Sequence, residues 1–158
     1  MTIQVGDKIP QSSFTVMGES GPEAMTTEAL FTGKKVVLFA VPGAFTPACS
    51  ESHLPGFVVH VDSIKARGVD TVACMSVNDV FVMNAWGKAS NAEHLQMLAD
   101  CNGDFTAALG LQLDGKVWGL GMRSQRFAMI VDDGVVSLLN IDEAAVDASS
   151  AETVLAAL

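Results

Sequence analysis

The sequence predicts an α/β fold, a central mixed β-sheet flanked by helices, with residues 1–158 forming one domain. Three observations carry that prediction. Val36–Val41 is an uninterrupted run of six apolar, β-rich residues, the pattern of a strand buried on both faces. From there the patterns alternate: a helix from Thr46, an apolar segment from Val69 to Val77, then a helix opened by Asn78-Asp79 and running towards Trp86. That order is the signature of a parallel unit with a right-handed crossover. Finally, Arg126–Val131 and Val135–Ile141 flank Asp132-Asp133-Gly134, a hairpin signal with one extra residue, which adds antiparallel strands and makes the sheet mixed.

The remaining elements follow from local chemistry. Asp7–Pro10 and Gly18–Pro22 are turn-prone and predict loops, with Phe14–Met17 as a short strand between them. Thr27 with Glu28 opens a short helix that ends at Gly33. The helix from Thr46 carries Leu54, Phe57, Val58, Val61 and Ile64 on one face, with Gly68 as its C-cap. Pro55 falls inside it. An interior proline removes one backbone hydrogen bond, so the expectation is a kink near Ser52 within one helix. Asn91–Cys101 reads as a turn and a short helix, and Asp104–Leu109 as another short helix. Gly110–Gly121 reads as a loop with one helical turn. Ser149 and Glu152 form a capping box for a closing helix that runs to Leu158.

Composition excludes several function classes. Nine basic against 18 acidic residues give a net charge of −9, and no basic cluster exceeds Lys34-Lys35, which argues against nucleic acid or an anionic membrane as a partner. No apolar run approaches the roughly 20 residues that span a bilayer. Met1–Asp7 has neither the basic head nor the apolar core of a signal segment, so the expected location is cytoplasmic. Three cysteines without a C-x-x-C pair suit neither a disulfide scaffold nor a four-cysteine zinc site; they suit free thiols in a reducing compartment.

The chemistry concentrates where the buried strand ends. Pro42 and Gly43 stop the strand, and Thr46-Pro47 restarts the chain as a helix, with Thr46 as N-cap and Pro47 in the first helical position. Cys49 falls at the third helical position, beside unpaired backbone N–H groups and the positive end of the helix dipole, an arrangement that favours thiolate over thiol. Thr46 lies three residues away on the same face. Its hydroxyl is expected to accept from the Cys49 amide while donating to a sulfur or a substrate oxygen. By spacing alone Cys49 also fits an inert buried cysteine. Arg126, opening its strand, is a permanently charged group able to hold a thiolate and a substrate oxygen together; Arg123 is an equal candidate by spacing.

The run Pro42-Gly-Ala-Phe-Thr46-Pro-Ala-Cys49 resembles the peroxidatic signature of the peroxiredoxins, and Ser50-Glu-Ser-His-Leu-Pro-Gly-Phe57 is similar to the peroxiredoxin 5 or type II subfamily. The likeness extends through Gly68–Asp79 and Arg126–Val131 and so covers nearly the whole chain. It implies a thioredoxin-like fold and a peroxidase in which the Cys49 thiolate attacks a hydroperoxide, forming a sulfenic acid. In that picture Thr46, Arg126 and the Cys49 amide stabilise the leaving oxygen, and Pro42 shields the sulfur. The resemblance also selects Arg126 over Arg123.

It further implies no bound cofactor and no metal, a homodimer, and recycling by an external thiol, glutathione with glutaredoxin or else thioredoxin. Residues 102–158 contain no late resolving cysteine, Cys74 reads as a core residue, and Cys101 has no counterpart in the family pattern. Two rival readings fit parts of the sequence. Cys49, His53 and His60 are spaced along one helix as a metal site or a Cys-His nucleophile pair would be, but Pro55 disturbs the register and no further ligand or orienting carboxylate completes either; His53 is instead expected to pack or hydrogen-bond. The other rival is a chaperone or redox adaptor on the same fold. Phe45, Phe81 and Trp86 are candidates for the dimer contact, though each also suits the core.

Overall fold

The computed structural model describes residues 1–158. A hairpin of β1 (Ser13–Gly18) and β2 (Gly21–Thr26) is followed by α1 (Thr27–Phe31) and β3 (Lys35–Val41). A helix begins at Pro47, passes through a π-helical segment at Cys49–His53, and continues as α2 (Leu54–Ala66). Next come β4 (Thr71–Ser76), α3 (Val80–Ala89), β5 (Gln96–Ala99) and α4 (Asp104–Leu109). A small ribbon of β6 (Gln112–Asp114) and β7 (Met122–Ser124) encloses a 3₁₀ turn at Lys116–Trp118, and β8 (Arg126–Asp132), β9 (Val135–Asp142) and α5 (Ala151–Ala156) close the chain.

Seven strands form one mixed sheet in the order β2-β1-β5-β4-β3-β8-β9. β3, β4 and β5 run parallel, and β8 and β9 are antiparallel on the far side of β3. Helices cover both faces, as the periodicity predicts, and the arrangement is the thioredoxin-like fold that the resemblance implies. The two-residue period of β3 divides the core. Val37, Phe39 and Val41 join α2, α3 and α5 in one cluster with Cys49; Val36, Leu38 and Ala40 face the opposite layer of Phe31, Phe105 and Leu109. All six β3 residues from Val36 to Val41 are fully buried, which is why the strand reads as a continuous apolar run.

The hairpin signal is realised, with Asp133 and Gly134 at positive φ and a register shift between Ile130 and Val131. Asp79 caps α3 by accepting from the Val82 amide, as expected, and Gly68 closes the α2 helix at φ +94°. Four expectations are corrected. Gln96–Ala99 within Asn91–Cys101 is a strand, not a helix: four residues are too few to show a period, and parallel pairing with β4 decides their state. Gly21–Thr26 is a second strand where a loop was expected to end at Pro22; as the sheet edge it accommodates Pro22 and Glu23 and keeps an exposed face. Within Gly110–Gly121 the expected helical turn is present, but Gln112–Asp114 is a strand, β6, which pairs with β7 just beyond the segment. The N-cap of α5 is Ser150, which accepts from the Thr153 amide, rather than Ser149, and the helix stops at Ala156.

Candidate active site

Cys49 sits where β3 delivers the chain to a helix, and only 1% of it is exposed. After Val41 the chain turns through Gly43–Thr46, closed by a Thr46 N–H bond to the Gly43 carbonyl at 3.3 Å, with Phe45 at φ +64°. A non-glycine residue in this region carries strain of order 1 kcal/mol, which the surroundings must hold. They do so by side-chain bonds: Asn78 Oδ1 accepts from the Ala44 amide at 3.0 Å and from Ser76 Oγ at 2.6 Å. A Cβ at Gly43 would lie 3.1 Å from Thr46 Cγ2 and 3.2 Å from Arg123 Nη1, so a larger residue there would require those side chains to give by a few tenths of an ångström. Trp86 Nε1 donates to Ser50 Oγ at 3.0 Å, tying the start of the helix to α3.

The expected kink takes the form of a π turn. The Leu54 amide bonds back five residues to the Cys49 carbonyl, so Cys49–His53 holds one extra residue, and Ser52 lies within it. Pro55 immediately follows and has no N–H to give to the preceding turn, so the widened turn falls where the α-helical ladder would be broken in any case. The helix is continuous through the bulge, as expected.

Arg126 reaches the sulfur through sheet register. β8 runs antiparallel to β3 with Ala40 opposite Phe127, so the residue that begins β8 lies beside the end of β3. Its guanidinium is 5% exposed; Nη2 donates to Cys49 Sγ at 3.1 Å and Nη1 to His53 Nδ1 at 2.8 Å. Nε is buried with no partner. Arg123 sits nearby in another role, donating through Nε to the Leu120 carbonyl at 2.8 Å and through Nη1 to the Pro42 carbonyl at 3.4 Å. It braces the loop; Arg126 touches the thiol.

Sequence reasoning underrated His53. Its ring is 1% exposed and lies against Phe39 and Phe57, which stack on one another at 3.9 Å. Nε2 lies 3.0 Å from the Ser149 carbonyl, which only accepts, while the Arg126 guanidinium only donates, so the proton is on Nε2 and the Nδ1 lone pair receives Arg126. Burial first, and the Arg126 charge second, lower its pKa from 6.5 to about 4, against the Ser149 bond and the Asp142 charge. The imidazole is therefore neutral at neutral pH and serves as an acceptor that aims Arg126. The sequence signal was its place four residues after Cys49 on one helix.

Thr46 is corrected in detail. Its hydroxyl donates to the Gly43 carbonyl at 2.6 Å, so that proton is not available to a sulfur or a substrate, and no side-chain cap reaches the Cys49 amide. Pro42 is half-buried at the strand end as expected. Cys74 is fully buried opposite Phe39 on β4; burial and then the neighbouring Cys49 push its thiol well up, which keeps it protonated. Cys101 is exposed in the turn before α4. His60 faces Glu152 at 3.3 Å, and no three His, Cys, Asp or Glu side chains converge as metal ligands.

A thioredoxin-like sheet that delivers a buried cysteine to a helix start, against an arginine from the adjacent antiparallel strand, defines a thiol-based redox enzyme. The comparisons with known proteins name the family. The family model described as Redoxin matches residues 4–155. Peroxiredoxin-2E, chloroplastic, of Arabidopsis thaliana is 48% identical over 163 residues, spanning 99% of this chain and 70% of that protein. Among solved structures, reduced Prx3 in complex with H₂O₂ from Vibrio vulnificus is 52% identical, covers 99% of each chain and superposes with a TM-score of 0.96. Peroxiredoxin 5 from Alvinella pompejana is 37% identical over 98% of this chain and 96% of its own, with a TM-score of 0.85. The chain belongs to the peroxiredoxins, within the redoxin family, and is a peroxidase.

Proposed function

We propose that this peroxiredoxin is of the peroxiredoxin 5 or type II kind and reduces hydrogen peroxide and organic hydroperoxides through Cys49, with an external thiol as reductant. The observation that carries the reading is the Arg126 guanidinium, bonded to Cys49 Sγ by Nη2 at 3.1 Å while its buried Nε has no partner. A buried donor without a partner costs about 1–3 kcal/mol, a cost relieved when an oxygen of the substrate accepts from it. Hydrogen peroxide is the ligand in the similar Vibrio vulnificus Prx3 complex, which supports the same substrate class here.

In the reaction the Cys49 thiolate attacks one peroxide oxygen in line with the O–O bond. The S–O bond forms, the O–O bond breaks, and the departing oxygen takes a proton to leave as water or an alcohol, with Cys49 oxidised to sulfenic acid. Arg126 stabilises the charge that grows on the leaving oxygen, as preorganised donors do in an oxyanion hole. Thr46, its proton held by Gly43, offers lone pairs to the O–H of the peroxide and so orients it. Pro42 shields the sulfur from water and larger electrophiles.

The positions of the other cysteines support recycling by an external thiol. Cys74 is fully buried and held protonated, and no cysteine follows Cys101. One thiol condenses with the sulfenic acid, releasing water and leaving a mixed disulfide, and a second thiol displaces Cys49; glutathione with glutaredoxin, or thioredoxin, supplies both. Phe45, Phe81, Val117, Trp118 and Met122 are exposed apolar residues, and the Arg123 Nη1 bond to the Pro42 carbonyl holds the 115–123 loop to the active-site loop, which supports a homodimer contact beside the site.

The deciding experiment mixes reduced protein with hydrogen peroxide alone and follows thiol loss and intact mass for wild type, Cys49→Ser and Cys74→Ser. Oxidation far faster than that of free cysteine, gaining one oxygen and lost only in Cys49→Ser, is the expected result. Wild type reacting no faster than free cysteine overturns the reading, and a disulfide that requires Cys74 overturns the external reductant.

A further inference from the structure

We propose that Asp142 is a positioning residue for Cys49, acting through the Ser149 carbonyl, His53 and Arg126 in turn. The inference rests on the peroxidase reading above and adds a residue more than one hydrogen bond away from the sulfur.

Asp142 ends β9 and is the register partner of Arg126 on β8. A cross-strand Arg–Asp pair ordinarily forms an ion pair, yet these two charged groups make none. Arg126 commits its Nη groups to Cys49 and His53. The Asp142 carboxylate instead gathers the chain that follows it: Oδ2 accepts from the Asp147 amide at 2.9 Å, the Ser149 amide at 2.9 Å and Ser149 Oγ at 2.7 Å, and Oδ1 from the Ala148 amide at 3.1 Å. Asn140 Nδ2 adds a bond to the Ala148 carbonyl at 2.9 Å.

Residues 143–149 have no helix or strand of their own, so these bonds set the shape of the segment. Its last residue, Ser149, is fully buried and turns its carbonyl to His53 Nε2 at 3.0 Å. That carbonyl fixes the histidine tautomer, and the tautomer decides whether Nδ1 presents a lone pair to Arg126. If the segment loosens, the imidazole loses its orienting acceptor, and Arg126 loses the partner that aims Nη2 at Sγ. Charge-assisted bonds from three amides and a hydroxyl also hold the Asp142 carboxyl below its ordinary range, despite the burial that raises it.

The test uses the full chain and the second-order rate of Cys49 oxidation by hydrogen peroxide, together with ¹⁵N-histidine spectra, which three histidines keep assignable. Asp142→Ala removes all four bonds, and Asp142→Asn, with a donor placed among donors, is the milder form should the alanine variant not fold. Either is expected to slow oxidation about tenfold and to replace the single Nε2–H pattern of His53 by an averaged one. Thr26→Ala, which removes the cap of α1 far from the site, controls for lost stability and leaves the rate unchanged. His53→Phe slows the reaction by itself, and adding the Asp142 substitution to it produces no further loss. The proposal is overturned if the Asp142 variants keep the wild-type rate, if their loss multiplies with that of His53→Phe, or if the His53 spectrum is unchanged. Should the wild type prove unreactive to peroxide, the peroxidase reading fails while the spectrum still decides the positioning role.

Discussion

The low pKa of His53 makes acid sensitivity a direct test of the site's geometry. Well above pH 6.5 the imidazole is neutral in both folded and unfolded chains. Between 6.5 and about 4 the unfolded chain binds a proton that the folded protein refuses, so stability falls on acidification through that window. With those two values the loss relative to pH 7 is about 2 kcal/mol at pH 5 and about 3 kcal/mol at pH 4, and unfolding near pH 5 takes up about 0.9 proton. Carboxylates add their own slope, so the measurement is a difference. Urea unfolding at several pH values is compared between wild type and His53→Gln, whose amide has a donor for Ser149 and an acceptor for Arg126 but no titration. The two stability curves should converge by about 2 kcal/mol between pH 7 and pH 5. Parallel curves would show that His53 is either protonated in the fold or free to shed its partners, and the assignment of Nδ1 as the Arg126 acceptor would be wrong. Asp142, also held below its ordinary value, loses its contribution only at pH below that window.

Other consequences are measurable separately. Arg126→Lys places one ammonium where two Nη groups now bridge His53 and Cys49, and oxidation by peroxide in stopped flow should slow about 100-fold. In native protein Cys101 should be alkylated fast by a maleimide, while Cys74 reacts only on unfolding, as peptide mapping will show. Asp79→Ala removes the α3 cap and should cost about 1 kcal/mol, read as a drop of about 2–4 °C in melting temperature. If the proposed homodimer contact is right, wild type should sediment as a dimer and Trp118→Glu, a charge at an exposed apolar residue, as a monomer in analytical ultracentrifugation; a monomeric wild type would refute that contact.

Much of the architecture was legible because it is local. The apolar run of β3, the Asp133-Gly134 hairpin and the Asp79 cap each act through neighbours in the chain, and each is found where its residues predict. What was missed is decided by partners distant in sequence. Gln96–Ala99 has no strand period, and becomes β5 because β4 offers an open edge. Gly21–Thr26 gives no strand signal, and its first two residues read as the end of the Gly18–Pro22 loop, because an edge strand buries little. Ser149 has the spacing of a capping residue and would serve as one, but its hydroxyl is bonded to Asp142 and its carbonyl to His53, so the cap passes to Ser150.

The site divides in the same way. The segment Pro42–Cys49 is one short stretch of chain, and its strand end, turn and helix start are legible from residue types alone. Arg126 lies 77 residues from Cys49, and only the antiparallel register of β8 on β3 brings it to the sulfur. For this reason spacing could not separate it from Arg123. The π turn settles the remaining geometry. In a regular α-helix residues four apart lie roughly 40° from alignment, since each residue advances about 100°. The wider turn across Cys49–His53 reduces the advance per residue and swings His53 relative to Cys49, so that the sulfur and the imidazole nitrogen both meet the same guanidinium. Pro55 thus has a consequence beyond its own missing N–H. By favouring the bulge one turn upstream, it lets a single arginine contact both the nucleophile and the neutral histidine that aims it.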